Sequence, residues 1–378
     1  MFNLVYSDYS VLIFVDHFNL TGIESRQNGL TCKGPALSSR KVASTPGVVK
    51  AITENDYAAL SKAVEAEKGP FRPEMVDICV TELKAFRAEV ILSAFMCLVD
   101  SLCLGKALQI PVVYLGLQVF VPSKFIPALG ILPLLPSFMN WYAWKLALGS
   151  VMQKQQDLVV PLLAKRLQQS EDSMRISWDE FTDHCSCRPR FPTFFAVSTA
   201  LHSFAPDFTP MCRSLGPLNF KLQQEMGPDF GEREWPALEA FLKRCTSKPV
   251  YIGFGSMIYH SSKWMSLLTL RALMSTGEFG VILRGWAELL ADFEGESDAA
   301  ELTAFCKEKV FFVNACPHRK LFPQCSVIVH HGGAGTTYAA AMSGVPQVVV
   351  PVLMDQFFHS DLVNEKAVGV GLKSMRTF

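Results

Sequence analysis

The sequence predicts an α/β protein with two parallel-sheet domains, and three observations support this fold class. Short apolar runs alternate along most of the chain with longer segments of helical character. A polar stretch that contains glycine and proline, 221–234, separates an N-terminal group of these runs from a C-terminal group. The chain has 378 residues, 49% of them hydrophobic, which is enough to bury two cores.

The predicted elements follow in chain order. The N-terminal half has a helix at 56–67, which ends at Gly69 and Pro70, and strands at 89–93, 111–115 and 193–197. The C-terminal half has a more regular alternation, with strands at 250–254, 281–283, 310–313, 327–329, 348–350 and 368–371. The resulting domain boundaries are 1–220, a linker at 221–245, and 246–378.

The most informative segment joins an apolar strand to a helix through a glycine-rich turn between Val329 and Thr337. The helix is predicted over Thr336–Met342, and Gly344 supplies its left-handed cap. Glycines let the backbone pass close to a ligand, and the free N–H groups at a helix start bind anions, so a phosphate is the expected guest. A tight turn that only packs a helix on a sheet is the alternative reading of this loop.

Composition excludes several classes of protein. Lys plus Arg and Asp plus Glu both number 35, and this neutral balance argues against a nucleic-acid partner. The 11 cysteines are scattered without paired C-x-x-C spacing, which indicates reduced thiols rather than zinc ligands. The first twenty residues carry acids and lack the pattern of a cleavable signal peptide. We therefore expect a cytoplasmic location.

One long apolar region, 110–152, has two readings. Prolines and lysines interrupt it before 18 apolar residues accumulate, so it does not predict a transmembrane helix. Its aromatic residues either form ordinary core or line a partly exposed surface that receives a lipid-like acceptor or contacts a membrane peripherally.

The residues from His330 to Gly371 resemble a known family. The run His330 to Thr337, Gly344 to Gln347, Asp355 with Gln356, and the final Val368 to Gly371 are similar to the donor-binding signature of UDP-dependent glycosyltransferases, with most likeness to the sterol glucosyltransferase branch. Two upstream segments, 248–257 and 314–322, are also similar to that family. The resemblance implies the GT-B architecture, in which an acceptor domain comes first, a donor domain second, and a cleft lies between two facing Rossmann-like domains.

The resemblance also implies the chemistry, which is inverting transfer of a hexose, with glucose expected, from a UDP-sugar to the hydroxyl of a sterol or other lipid-like acceptor. No cofactor or metal is needed, because protein groups stabilise the departing diphosphate. The residues implied as donor-binding fall into three sets: for the diphosphate Gly255, Ser256, His331, Gly333, Ala334, Gly335 and Thr336; for the uracil Ala315 and His318; for the hexose Asp355 and Gln356.

Plainer roles remain open for several of these residues. His330 fits strand-end packing better than ligand contact, whereas His331 fits the diphosphate. Ser256 could be a turn residue only. Asp355 and Gln356 could cap the helix that follows them.

The N-terminal segment departs from the family pattern, which begins with an apolar strand, a catalytic loop and a long helix. We expect the N-terminal domain to be truncated or divergent, and the C-terminal end to lack helices that the family adds. A strand at Val11–Val15 would place Asp16 or His17 as the general base. The alternatives to an active transferase are an inactive protein that binds nucleotide sugars and a UDP-sugar epimerase of the same fold.

Overall fold

The computed structural model describes residues 39–128, 135–218 and 231–375, together with the backbone of two short strands at 11–14 and 30–33. In chain order the strands are β1 Val11–Phe14, β2 Leu30–Lys33, β3 Ile91–Ser93, β4 Val112–Gly116, β5 Thr193–Phe195, β6 Cys212–Ser214, β7 Val250–Gly253, β8 Gly280–Leu283, β9 Val310–Val313, β10 Val327–His330, β11 Gln347–Val349 and β12 Gly369–Gly371. The α-helices are α1 Ser39–Ala43, α2 Pro46–Glu54, α3 Tyr57–Lys68, α4 Arg72–Phe86, α5 Leu98–Leu108, α6 Ser137–Leu167, α7 Trp178–His184, α8 Trp235–Arg244, α9 Ser262–Thr276, α10 Ala299–Lys309, α11 His318–Leu321, α12 Ala334–Ser343 and α13 Asp355–Glu365.

The chain divides into two compact units, and the first comprises the described residues of Met1–Leu37 and Lys68–Leu218. Its larger sheet has the strand order β3-β4-β5-β6, and each pair of neighbours is parallel. The backbones of β1 and β2 form a separate parallel pair. The prediction of parallel α/β structure is therefore confirmed in this unit, and the strand expected at Val11–Val15 is present over its first four residues.

The long helix α6 both packs and exposes apolar side chains. Trp144 and Leu148 are buried, whereas Phe138, Tyr142 and Leu146 are exposed on the same helix. The apolar region therefore forms core in part and is exposed in part, and contact of the exposed part with a lipid-like acceptor or a membrane stays a prediction. Within the residues that the structure describes, no helix is long and apolar enough to span a membrane.

The second unit comprises the described residues of Ser38–Glu67 and Asn219–Phe378. Its six strands are all parallel and follow the order β12-β11-β10-β7-β8-β9. The order reverses between β7 and β10, which makes this a doubly wound sheet with its switch point between these two strands. Successive strand residues face opposite sides, so Tyr251 joins one core layer with α8 and Ile252 joins the other with α9 and α10.

The unit boundaries differ from the predicted domain boundaries at two places. Residues 38–67 were expected in the N-terminal domain, but Val48 and Ile52 of α2 are buried in the same core layer as Ile252. Of the segment 221–245, which was expected to be a linker, residues 221–230 lie outside the described residues. Its later part forms α8. Helix α8 buries Trp235 and Phe241 against the other layer of the second unit. An amphipathic helix buries its apolar face against a sheet, but its sequence does not indicate which of two sheets that is.

The packing of α2 predicts the effect of truncating its core side chain. Ile52 is 6% exposed, so Ile52→Ala should lower the free energy of unfolding by about 2–4 kcal/mol through lost burial and the cavity left behind. Lys50 is exposed on the same helix, and Lys50→Ala should change stability by less than about 0.5 kcal/mol. Urea unfolding of both variants checks the energies. Hydrogen exchange in β7 should accelerate only in Ile52→Ala, and unchanged exchange there would contradict the contribution of Ile52 to the core layer of Ile252.

Candidate functional site

Two glycine-containing loops follow neighbouring strands at the switch point of the second unit. Strand β7 leads into Gly255 and Ser256, and β10 leads into His331. Since ligands of doubly wound sheets bind beyond the carboxyl ends of strands at the switch point, these loops occupy the expected place for one. The Ser256 side chain is half-buried and makes no hydrogen bond with a described residue, which leaves its hydroxyl available there.

The imidazole of His331 fills the space between these two loops. A Cβ on Gly255 would lie 2.8 Å from His331 Cε1, and a Cβ on Gly333 would lie 2.5 Å from His331 Nε2. Gly255 also has a φ of +57°, a conformation that favours glycine. Only glycine at both positions therefore lets the ring sit at this depth, where 8% of the His331 residue surface remains exposed.

Burial keeps the His331 ring neutral. It lowers the pKa of His331 to about 4, and the backbone of Gly253 acts in the opposite direction. Nδ1 is buried and has no hydrogen-bond partner of good geometry among the described residues. A neutral imidazole can donate one hydrogen bond, and a bound anion beside it would raise its pKa.

Helix α12 begins without a side-chain cap. Gly333 is the N-cap residue, and its carbonyl accepts hydrogen bonds from the backbone N–H and the hydroxyl of Thr337, at 2.9 and 3.0 Å. The N–H groups of Ala334, Gly335 and Thr336 donate to no described residue. Gly335 is exposed, and a Cβ placed on it would meet nothing within 4 Å. The helix start is thus accessible and carries three free donors beside His331, which is the arrangement of an anion site.

His330, the preceding imidazole, has a structural role. It is fully buried, and its Nδ1 accepts a 3.1 Å hydrogen bond from the N–H of Gly332. Its Nε2–H therefore donates to Gln347 Oε1 at 2.9 Å. Both ring nitrogens are occupied, in agreement with the expectation that His330 packs at the strand end rather than contacting a ligand.

The segment after β9, expected beside the uracil, is held by groups from two other elements. Burial raises the pKa of Tyr251 well above its usual value, so its O–H donates to His318 Nε2 over 3.1 Å. The His318 ring stacks on Phe322 with 4.4 Å between centroids, and burial lowers its pKa to about 4. A Cβ on Gly231 would lie 2.1 Å from the carbonyl oxygen of Ala315, so the two backbones are in direct contact. In His318, Nδ1 is therefore the ring nitrogen that has no partner among the described residues. The Ala315 backbone is held by its contact with Gly231.

The two polar residues expected to bind the hexose lie at the start of α13. Asp355 is its first residue, and burial raises the pKa of its carboxyl while the nearby His359 opposes this effect. The side-chain oxygen of Gln356 accepts hydrogen bonds from the N–H groups of Val352 and Leu353, both at 2.9 Å. Gln356 therefore caps the turn before the helix rather than the helix itself, whose start has no side-chain cap, and only its amide nitrogen remains for a ligand.

The two residues expected as general base, Asp16 and His17, lie outside the described residues. Within the described parts of the chain, no three His, Cys, Asp or Glu side chains converge on a point that could hold a metal ion. The expectation that no cofactor is needed stays a prediction.

Sequence reasoning missed several residues that shape this site. Tyr251 positions His318, Gly231 abuts Ala315, and Gly285 approaches Gly255 so closely that a Cβ on it would lie 2.5 Å from the Gly255 carbonyl oxygen. These residues share no sequence signal, because none of them has a fixed spacing from the residue that it contacts. Only the fold brings them together.

Comparisons with known proteins bear on the fold and on the family resemblance. A family described as Erythromycin biosynthesis protein CIII-like, C-terminal domain, matches residues 287–377, which contain both α12 and the start of α13. Among solved structures, UDP-glucose:anthocyanidin 3-O-glucosyltransferase in complex with UDP gives a TM-score of 0.52 at 13% identity, over 92% of this chain and 76% of that one. The glycotransferase of kitacinnamycin gives 0.50 at 18% identity, over 92% and 74%. These likenesses show that the chain has the GT-B fold of these structures.

The chain also has sequence relatives that match part of its length. A sterol 3-beta-glucosyltransferase of Arabidopsis thaliana is 44% identical over 123 residues, which are 32% of this chain and 18% of that protein. A sterol 3-beta-glucosyltransferase of Saccharomyces cerevisiae is 35% identical over 141 residues, which are 36% of this chain and 11% of that protein. The aligned part is thus less than a fifth of either relative. The predicted fold is confirmed, and the predicted resemblance to sterol glucosyltransferases is confirmed over this part of the chain, whereas the sugar and the acceptor are not tested by these alignments.

The buried imidazoles of this protein predict a loss of stability in acid. Burial lowers the pKa of His330 to about 3, whereas an unfolded histidine titrates near pH ~6.5. The unfolded chain therefore gains a proton that the folded chain does not accept, and stability falls as the pH drops below the unfolded value toward the folded one.

His330→Asn keeps an acceptor for the Gly332 N–H and removes this titration. Its free energy of unfolding should fall less steeply between pH 6.5 and 5 than that of the wild type, by an amount that approaches about 1.4 kcal/mol per pH unit at the lower end. Urea unfolding at several pH values measures both slopes. Parallel slopes for the two proteins would show that His330 does not titrate on unfolding.

Proposed function

We propose that this protein transfers a hexose, with inversion, from a UDP-sugar to the hydroxyl of a sterol or other lipid-like acceptor. The observation that carries the proposal is the start of α12, where three backbone N–H groups without described partners lie beside the imidazole of His331 at the switch point. A diphosphate is the leaving group of such a transfer, and its developing charge is the part of the reaction that most needs stabilisation.

The groups around this helix start have complementary roles in the proposed reaction. The N–H groups of Ala334, Gly335 and Thr336 and the positive end of the helix dipole bind the diphosphate. His331 donates a hydrogen bond from a neutral ring, and Ser256 approaches from the neighbouring loop. No step requires a metal, because these donors are fixed before the substrate arrives.

The remaining donor contacts follow from the neighbouring loops. The Ala315 backbone and the Nδ1 edge of His318 border the uracil, and Asp355 with the amide nitrogen of Gln356 bind the hexose hydroxyls. Carboxylates and amides discriminate between sugars through one or two hydrogen bonds. We assign the general base to Asp16 or His17, on the ground that either would follow strand β1.

Support for a lipid-like acceptor comes from two sources. The Arabidopsis and yeast relatives are named sterol 3-beta-glucosyltransferases. The exposed side chains of Phe138, Tyr142 and Leu146 on α6 give the first unit an apolar surface of the kind that binds such molecules or contacts a membrane. We propose a cytoplasmic protein with peripheral membrane contact.

Calorimetric titration with UDP-glucose tests the donor site directly. A hydrogen bond from His331 to a charged diphosphate contributes about 1.5–3 kcal/mol, so His331→Ala should weaken binding about tenfold or more. His331→Gln keeps a donor and should recover part of the loss. His260→Ala is the matched control, because the exposed His260 ring stacks on Trp264 rather than contacting the helix start. Equal affinities of the wild type and His331→Ala would contradict this role for His331.

A turnover assay on the same proteins separates transfer from binding. The wild type should release UDP from UDP-glucose and should transfer glucose to ergosterol, and His331→Ala should do both more slowly. Binding of UDP-glucose with neither release nor transfer would favour the inactive nucleotide-sugar-binding alternative. Conversion to another UDP-sugar would favour the epimerase.

A further inference from the structure

Gly332 is held on both sides by buried imidazoles. Its N–H donates to His330 Nδ1 at 3.1 Å, and its carbonyl accepts a 2.7 Å hydrogen bond from the Nδ1–H of His359. Both rings are fully buried, so neither is available to a ligand. The two imidazoles therefore fix the peptide groups on either side of Gly332.

Gly332 also has no room to move away from these partners. Its φ is +90°, and a Cβ on it would lie 2.8 Å from Val349 Cγ1 and 3.0 Å from the carbonyl oxygen of Gln356. The residue is thus pressed between β11 and the first turn of α13. His359 belongs to α13, so its hydrogen bond ties the helix that carries Asp355 to the loop that leads into α12.

The carbonyl that His359 binds belongs to the same peptide group as the Gly333 N–H. In a trans peptide the C=O and N–H point in opposite directions within one plane. Holding the oxygen toward His359 therefore directs the Gly333 N–H away from α13. That N–H donates to no described residue, and it directly precedes the three free N–H groups of α12.

We infer that His359 is a positioning residue, which through the Gly332 carbonyl orients the Gly333 N–H as the fourth backbone donor of the diphosphate site. The identity of the ligand rests on the proposed function, whereas the orientation of the loop does not. The ring must remain neutral with its proton on Nδ1. Burial lowers the pKa of His359 and favours that form, while the nearby Asp355 partly opposes the effect.

Two variants of His359 separate its hydrogen bond from its volume. His359→Leu retains an apolar side chain of similar reach and removes the donor. His359→Asn places an amide N–H near the position of Nδ1 and retains the donor. The full-length chain with each substitution is titrated with UDP and with uridine, which lacks phosphates. Uridine is the internal control, because it does not use the diphosphate donors.

The expected result is selective. His359→Leu should weaken UDP binding about tenfold and leave uridine binding unchanged, and His359→Asn should bind UDP within about threefold of the wild type. Equal loss of UDP and uridine affinity would show a general structural role and overturn the inference. Unchanged UDP affinity in His359→Leu would also overturn it.

Hydrogen exchange in the free protein decides the question without a ligand. The N–H groups of Gly332 and Thr337 are bonded to His330 and to the Gly333 carbonyl, so both depend on the orientation of this loop. Their exchange should be faster in His359→Leu than in the wild type and unchanged in His359→Asn. If the wild type bound no UDP, the proposed function would fail, and equal exchange in all three proteins would separately refute the positioning role.

Discussion

The feature on which the site depends is a helix that starts with unsatisfied backbone donors at an accessible place. Helix starts normally receive a side-chain cap, because each free N–H costs free energy once it loses water. Here the N-cap position of α12 is Gly333, which has no side chain, and the N–H groups that follow it remain without partners among the described residues. The sequence Gly-Gly-Ala-Gly before Thr336 thus leaves the donor capacity for a ligand.

The loop that leads into α12 must be held rigidly if these N–H groups are to keep their positions. The support comes from the buried imidazoles of His330 and His359, which hydrogen-bond to Gly332 from two sides, and burial lowers the pKa of both rings. Neutral histidines suit this task because each ring can accept at one nitrogen and donate at the other. His330 uses both properties, because it accepts from the Gly332 N–H and donates to Gln347. His359 donates to the Gly332 carbonyl. His331 lies beside the helix start.

Much of the second unit could be predicted from sequence because local pattern and fold agree there. Strand β9 coincides with the predicted 310–313, and α12 extends the predicted helix by two residues at its start and one at its end. The left-handed cap at Gly344 was also predictable, since only glycine adopts it easily. The expected ligand and the expected roles of single residues came from the resemblance of residues 330–371 to a known family.

Long-range packing could not be predicted in the same way. Helix α2 was not predicted from the sequence, and no local pattern signals that Ile52 joins the core layer of Ile252, some two hundred positions later in the chain. The same limit applies to Tyr251 beside His318 and to His359 beneath Gly332, because neither pair has a sequence spacing that signals contact. For Gln356 the predicted ligand role gave way in part to a capping role, since its oxygen satisfies two backbone N–H groups.

The most direct measurement of the central claim is the amide NMR spectrum of the ¹⁵N-labelled chain during titration with UDP. The account predicts that the N–H resonances of Ala334, Gly335 and Thr336 shift strongly downfield with UDP and remain in place with uridine, because only the diphosphate accepts their hydrogen bonds. Saturation with UDP that leaves these three resonances unmoved would contradict the account.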